Sequence, residues 1–297
     1  MSTNCDQCPR ACGADRERTV GYCGVPWEFH VARAALHPWE EPQISGTRGS
    51  GTVFFCGCNL RCVYCQNRAV SRAELGRRLD AEQLLDVMLR LEAAGAHNIN
   101  LVTPTQYAQQ LVPVLERAKQ CLHIPIVYNC GGYEGVDALR CLEGLVDIYL
   151  PDFKYVSTEL SARYSGAQDY CEVATRALAE MLRQTGAPII GADGIMTRGV
   201  IVRHLVLPSA RKDSVAVLRH LAERFGTDAF LLSLMSQYTP AFAVDTPYRE
   251  LHRRVTTFEY ESVANEAIGL GFSGNLQART SANAEYTPDF REESFLP

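Results

Sequence analysis

Residues 57–67 read Gly57-Cys58-Asn59-Leu60-Arg61-Cys62-Val63-Tyr64-Cys65-Gln66-Asn67. The three cysteines are spaced C-x3-C-x2-C. Three thiolates on one short loop can hold three corners of a cubane iron–sulfur cluster. This spacing does not supply the usual fourth thiolate, so one iron is left open for a non-protein ligand. Such a geometry suits chemistry rather than simple electron transfer. The competing reading is a zinc site, which usually wants four protein ligands in paired spacings such as C-x2-C. The loop follows an apolar run, Thr52-Val53-Phe54-Phe55, that reads as a strand. Cys56 falls outside the three-thiolate spacing and reads as a small strand residue.

Strand and helix signals alternate after this loop. Leu84, Leu85, Met88, Leu89 and Leu91 recur at helical spacing over 80–95, with Asp80 as N-cap and Gly95 as stop. Strands are expected at 99–102, 124–128, 145–150, 199–207 and 229–235. Helices are expected at 106–121, 136–142, 169–185, 214–225 and 247–270, with Pro113 kinking the first or marking its start. Repeated βα units imply a parallel sheet with helices outside. About six units fit a partial (β/α)6 barrel better than the eight of a complete one. Chemistry in such a barrel gathers at the C-terminal ends of the strands. The polar residues there are Thr103, Thr105, Asn129, Asp152, Lys154, Arg203, His204, Gln237 and Tyr238. Arg203 and His204 are adjacent in one strand, so one of the two side chains points away from the mouth.

The 297 residues include 12 cysteines, too few for a disulfide scaffold and many for an ordinary cytosolic enzyme. No signal peptide and no long apolar span is visible, so a cytoplasmic chain is expected, in which clustered thiols hold metal or do redox chemistry. Hydrophobic residues make up 46% of the chain, which excludes global disorder. The formal charge of −5 argues against a protein that grips nucleic acid through its phosphates. Residues 1–48 lack the βα rhythm and read as a cysteine-rich N-terminal extension before a barrel domain at 49–297. Cys5, Cys8, Cys12 and Cys23 form a four-thiolate set there. Zinc could staple the extension, or a second iron–sulfur cluster could relay electrons. Cys121, Cys130, Cys141 and Cys171 are scattered and read as packing residues.

The cysteine loop resembles that of the radical S-adenosylmethionine (SAM) superfamily, with Tyr64 as the bulky residue before the third cysteine. The whole chain is similar to its pyruvate formate-lyase activating enzyme-like branch. Cys65-Gln66-Asn67 matches the C-[HQ]-N of that branch. Leu150-Pro151-Asp152-Phe153-Lys154 resembles its D-x-K, and Val206-Leu207-Pro208 its V-V-P. The opening cysteines, with Gly21-Tyr22-Cys23-Gly24, look like a subgroup of activases without a proven substrate. Three features depart from the pattern. Thr103-Pro104-Thr105 replaces the usual G-G-E, Tyr238 stands where activases tend to present a histidine, and the cysteine-rich insert of many activases is missing.

The resemblance implies a [4Fe–4S] cluster on Cys58, Cys62 and Cys65, with SAM on the open iron. It implies Tyr64, Asn67, Thr103, Thr105, Asn129, Asp152, Lys154 and His204 as residues around SAM. A reductant such as flavodoxin or ferredoxin is implied, and a glycyl-radical enzyme is the substrate of the branch. A radical SAM enzyme acting on a small molecule and an iron–sulfur electron-transfer protein without SAM chemistry are the alternatives. No membrane partner is expected. In the tail 278–297, Tyr286-Thr287-Pro288-Asp289-Phe290 could close the barrel mouth or pack on it, and packing is the favoured reading.

Overall fold

The computed structural model describes residues 5–277, 290 and 294–297. In chain order the first elements are β1 (Phe29–His37), α1 (Pro42–Ser45), β2 (Ser50–Phe55), α2 (Arg68–Ser71), β3 (Arg77–Leu79) and α3 (Ala81–Ala93). The middle holds β4 (Ile99–Val102), α4 (Ala108–Cys121), β5 (Ile126–Cys130), α5 (Val136–Cys141), β6 (Ile148–Pro151), α6 (Thr158–Ser165) and α7 (Tyr170–Thr185). The last third holds β7 (Ile189–Ile190), β8 (Met196–Leu205), α8 (Arg211–Phe225), β9 (Leu231–Met235), α9 (Thr257–Leu270) and β10 (Gly274–Leu276).

The sheet order is β10-β9-β8-β6-β5-β4-β2-β1-β3. From β2 to β10 every neighbouring pair is parallel, while β1 pairs antiparallel with β2 and with β3. This is the open, partial barrel expected from the βα rhythm, with a short extra strand at one edge and an antiparallel pair at the other. The central strands β2, β4, β5 and β6 are buried throughout, as strands covered on both faces must be. One face meets the helices in a large core that includes Tyr128, Tyr149 and Val202. The other face carries a small apolar core of its own, Ile44, Val127, Ile148, Leu150, Met196 and Ile201.

The period of two along a strand then decides what the barrel interior presents. Asn129 follows Val127, Asp152 follows Leu150, and Arg203 follows Ile201, all on the inner face. His204 keeps phase with Val202 and faces the helices. The seam between the sheet edges is tied by side chains. Asn275 Nδ2 donates to Gln43 Oε1 (2.8 Å) and Gln43 Nε2 donates to Asn275 Oδ1 (3.3 Å), joining α1 to β10.

Local chemistry fixes the helix ends. Asp80 accepts from Gln83 N–H (2.8 Å) while Gln83 Oε1 accepts from Asp80 N–H (3.0 Å), a reciprocal cap that starts α3. Pro113 lies inside α4, which runs through it from 108 to 121. The expected helix over 247–270 divides at Thr256. Residues 249–252 form a short 3-10 turn, and Thr256 with Glu259 caps α9. Residues 1–48 also differ from the expectation. Their later part is β1, hydrogen-bonded to β2 from Val31 to His37, so the sheet continues across position 48. Alternation did not reveal β1, because none of its positions is exposed and its sequence FHVARAALH reads equally as helix. Of the tail, Phe290 packs edge-on against Phe54 (5.3 Å between centroids), and Phe295 N–H donates to Ala34 O (2.8 Å). The rest of the 286–290 segment lies outside the described residues. Among the described residues no helix is long and apolar enough to cross a membrane.

The loop after β5 passes over the end of β6 in contact. Gly132 has φ +80°, and a Cβ there would stand 2.1 Å from Asp152 O. Gly132→Ala should destabilise the chain by at least about 2 kcal/mol, from the left-handed backbone and the clash together. Urea denaturation checks this; an unchanged midpoint would show that the two loops are not in contact.

Candidate active site

The cysteine loop leaves the end of β2 through a sharp turn. Gly57 has φ +81°, and a Cβ there would lie 2.7 Å from Cys23 O, so only glycine fits between the two segments. Cys58, Cys62 and Cys65 then line one wall of a cavity at the C-terminal ends of the strands. Each thiol has a polar neighbour. Leu60 N–H donates to Cys58 Sγ (3.4 Å), Ser165 Oγ lies 3.0 Å from Cys62 Sγ, and the Ser71 side chain hydrogen-bonds Cys65. Burial pushes the Cys58 thiol up to about 12, and the neighbouring Cys62 adds to the rise. Burial and then Cys62 raise Cys65 as well.

The cavity has a volume of about 220 Å³. A single water needs roughly 10–15 Å³ on this measure, so the space suits a ligand rather than a structural water. Opposite the thiols the cavity wall is charged. Arg203 Nε donates to Asp152 Oδ1 (2.9 Å), Nη2 to Asn129 Oδ1 (2.5 Å) and Nη1 to Glu40 Oε2 (3.4 Å). Lys154 Nζ donates to Asp152 Oδ2 (2.5 Å). Burial alone would raise Asp152, but Arg203 and Lys154 outweigh it and hold the carboxyl below its usual range. Burial also opposes charge on Lys154, and Asp152 reverses that, raising the amine above its ordinary value. Glu40 is pushed up by burial, against the pull of Arg203 and with a further push from Asp152.

The sequence-predicted residues divide. Cys58, Cys62, Tyr64, Cys65, Asn67, Thr103, Asn129, Asp152 and Lys154 all line the cavity, as do Gln237 and Tyr238. Thr105 and His204 lie outside the lining. Thr105 Oγ1 instead donates to buried Glu134 Oε1 (2.8 Å). His204 Nδ1 lies 2.7 Å from Phe153 O on the helix side of β8, and burial pulls its pKa down to about 4. Of the adjacent pair, Arg203 faces the mouth. Cys56 is fully buried and its thiol donates to Leu75 O (3.0 Å), the packing role expected of it. Cys130 is buried and Cys171 half-buried, but Cys121 and Cys141 are exposed at helix ends and do not pack in a core.

Several residues that position the site carry no sequence signal. Glu40 lies in the loop just after β1, a strand the hydrophobic rhythm does not reveal. Gln106 Nε2 donates to Thr103 O (2.8 Å) and Cys56 O (2.9 Å), pinning the loop after β4 to the start of the cysteine loop. Thr103 is held there with φ +58°, a strained conformation for a β-branched residue. The Tyr170 hydroxyl accepts from Lys154 N–H (2.9 Å) and lies 2.9 Å from both Gly131 O and Asp152 O. Tyr64 OH lies 2.5 Å from Tyr155 OH, which lies 3.0 Å from Ser165 Oγ.

Residues 52–196, from β2 to the start of β8, match the model of the Radical SAM superfamily. The chain is 27% identical over 281 residues to the uncharacterized protein MJ0674 of Methanocaldococcus jannaschii, covering 92% of this chain and 75% of that one. Among solved structures it is similar to methylornithine synthase (PylB), with TM-score 0.48 and 16% identity over 71% of this chain. It is likewise similar to Streptococcus suis SuiB bound to precursor peptide SuiA, with TM-score 0.48 and 14% identity over 80% of this chain. The chain spans 59% and 51% of the lengths of those two proteins.

Radical SAM domains imply a [4Fe–4S] cluster and SAM, and the residues present fit both. Cys58, Cys62 and Cys65 line the cysteine-loop side of the cavity, and Cys130 at the end of β5 is a fourth thiol in its lining. Asn67 Oδ1 is buried in the same lining without a protein partner, an acceptor available to a ligand's donor.

Two outcomes follow from the charges. Arg203→Met strips the cation shared by Asp152 and Glu40 and should cost about 3–5 kcal/mol in chemical denaturation; a loss under 1 kcal/mol would mean the network is loosely solvated. Glu134, between Thr105 and Tyr128 (3.1 Å), is pushed by burial from 4.5 up to about 7. Its folded pKa is raised, so the stability it contributes is full below about pH 4.5 and lost as pH rises through 7. Relative to wild type, Glu134→Gln should gain about 3 kcal/mol between pH 4.5 and 8. Parallel stability–pH curves for the two proteins would contradict this.

Proposed function

We propose that this chain is a cytoplasmic radical SAM enzyme whose cluster is held by Cys58, Cys62 and Cys65. The observation that carries the reading is the three thiols facing a charged wall across one cavity, with the thiols inside the stretch that matches the Radical SAM model. When bound, the cluster and SAM supply one electron that splits the C5′–S bond and a 5′-deoxyadenosyl radical that takes hydrogen from a substrate. The chain's own residues bind and exclude. Asp152 is an ionised acceptor and Lys154 a charged donor, 2.5 Å apart at the mouth, a pairing complementary to an ammonium and a carboxylate on one small ligand. Asn129 and Arg203 keep Asp152 in place. Thr103 offers a hydroxyl and a carbonyl where the branch's G-G-E would stand. Tyr64, fixed by Tyr155, closes the floor beside the thiols and keeps water from them.

The motifs at 150–154 and 206–208 favour a glycyl-radical enzyme as the substrate and a flavodoxin or ferredoxin as the reductant. We further assign Cys5, Cys8, Cys12 and Cys23 to a second metal site. A small-molecule substrate is the second reading, favoured by the Thr103-Pro104-Thr105 and Tyr238 departures from activases.

Anaerobic reconstitution with iron, sulfide, dithionite and SAM should yield 5′-deoxyadenosine by chromatography. Cys62→Ala should abolish it. Equal cleavage by that variant would sink the assignment. Addition of a glycyl-radical enzyme should then give a glycyl-radical signal in EPR, and no signal from any such enzyme would favour the small-molecule reading.

A further inference from the structure

A run of hydroxyl groups ends on one of the three cysteine-loop thiols. Tyr64 OH lies 2.5 Å from Tyr155 OH, Tyr155 OH lies 3.0 Å from Ser165 Oγ, and Ser165 Oγ lies 3.0 Å from Cys62 Sγ. Tyr64, Tyr155 and Ser165 are all buried, so bulk water does not compete for these bonds. Packing alone does not call for them. Phenylalanine at 64 and 155 and alanine at 165 would fill nearly the same space, and replacing both partners of a buried hydrogen bond by apolar groups is often close to neutral.

The backbone brings the serine to the loop and holds it there. Ser165 is the last residue of α6, and Gly166 closes that helix at φ +58°. Val63 N–H donates to Tyr164 O (2.9 Å), which ties the cysteine loop to the helix end. Two N-terminal arginines staple the same region. Arg10 donates to Asn59 O (2.7 Å), Ser165 O (2.9 Å) and Gly166 O (2.5 Å), clamping the helix end to the start of the loop. Arg16 donates to Pro26 O (2.6 Å) and Gln106 O, so the segment that carries Arg10 is itself fastened to the barrel. Carbonyl bonds from a guanidinium are charge-assisted and fix orientation as well as position.

Proton counting sets the direction of the run. A thiolate that ligates iron has no hydrogen to give. Cys62 can then only accept, so Ser165 donates its single hydrogen to the sulfur. Ser165 must in turn accept from Tyr155, and Tyr155 from Tyr64. Three bonds use three hydrogens, and each bond points toward Cys62. Hydrogen bonds in such a chain polarise one another. The other two thiols are served differently. Cys58 accepts from a backbone N–H at 3.4 Å, and the Ser71 hydroxyl beside Cys65 also donates to Arg68 O (3.1 Å).

Reduction adds negative charge to a cluster and its thiolates, so donors aimed at the sulfurs favour the reduced state. We infer that Ser165, backed by Tyr155 and Tyr64, donates to the Cys62 thiolate and raises the reduction potential of the cluster held by Cys58, Cys62 and Cys65. Ser165 and Tyr155 act through Cys62 and are positioning residues. The inference deepens the radical SAM reading and rests on it for the cluster. The electron comes from a one-electron reductant, and the hydroxyl protons stay where they are.

Potentiometric titration of the reconstituted protein without SAM, followed by EPR of the reduced cluster, tests it. Ser165→Ala should make one-electron reduction about tenfold less favourable, a fall of about 59 mV in midpoint. Tyr155→Phe should lower the midpoint by less, since the serine hydroxyl still reaches the sulfur. The Ser165→Ala/Tyr155→Phe double variant should match Ser165→Ala, because the phenol acts only through the serine. An unchanged or higher midpoint in Ser165→Ala would overturn the inference. So would a Tyr155→Phe shift that persists in the Ser165→Ala background. If Ser165→Ala takes up no cluster, Tyr155→Phe decides alone, with a lower midpoint supporting the run and an unchanged one overturning it. Wild-type protein that is reduced but leaves SAM intact would instead fault the enzyme reading, and the midpoints would still decide the inference.

Discussion

One guanidinium holds the mouth of this barrel together. Arg203 reaches from β8 to Asp152 after β6, Asn129 on β5 and Glu40 in the segment after β1. Asp152 and Arg203 also form an isolated parallel bridge, and Phe153 N–H donates to Arg203 O (2.8 Å), so β8 stays paired with the chain past the end of β6. Two buried carboxylates near one cation would repel each other without it. The charged wall is thus a structural commitment before it is a binding surface, and ligand recognition is built on groups that the fold already requires.

The hydrophobic rhythm made most of the barrel legible. Buried parallel strands are short apolar runs, and helices between them show an apolar stripe, so β2, β4, β5, β6, β8 and β9 announce themselves. The same reasoning fails at β1. An antiparallel strand of mixed exposure with three alanines has no distinctive period, and its partner is recognised only in three dimensions. The helix expected from 247 breaks because Thr256 competes for the backbone as a cap, a local preference that apolar periodicity ignores.

The candidate site was legible wherever a strand end carried it. Asn129, Asp152 and Lys154 could be read from position alone. Arg203 and His204 could not be separated without the phase of β8, which is set by Ile201 and Val202 lying on different cores. Thr105 illustrates the opposite limit. Its hydroxyl is near the mouth in sequence but is consumed by a buried carboxylate that only folding brings near. Glu40, Gln106 and Tyr170 act through long-range contacts to backbone carbonyls or to another strand, and no local pattern encodes such partners.

The arginine staples at the N-terminus also order events in time. Arg10 fastens to carbonyls of Ser165 and Gly166, more than 150 positions later in the chain. During synthesis Arg10 emerges well before these partners. Cys5, Cys8 and Cys12 are therefore made long before the carbonyls that anchor their segment. The opening segment passes through a long nascent stage in which its cysteines are accessible to whatever delivers, or steals, metal.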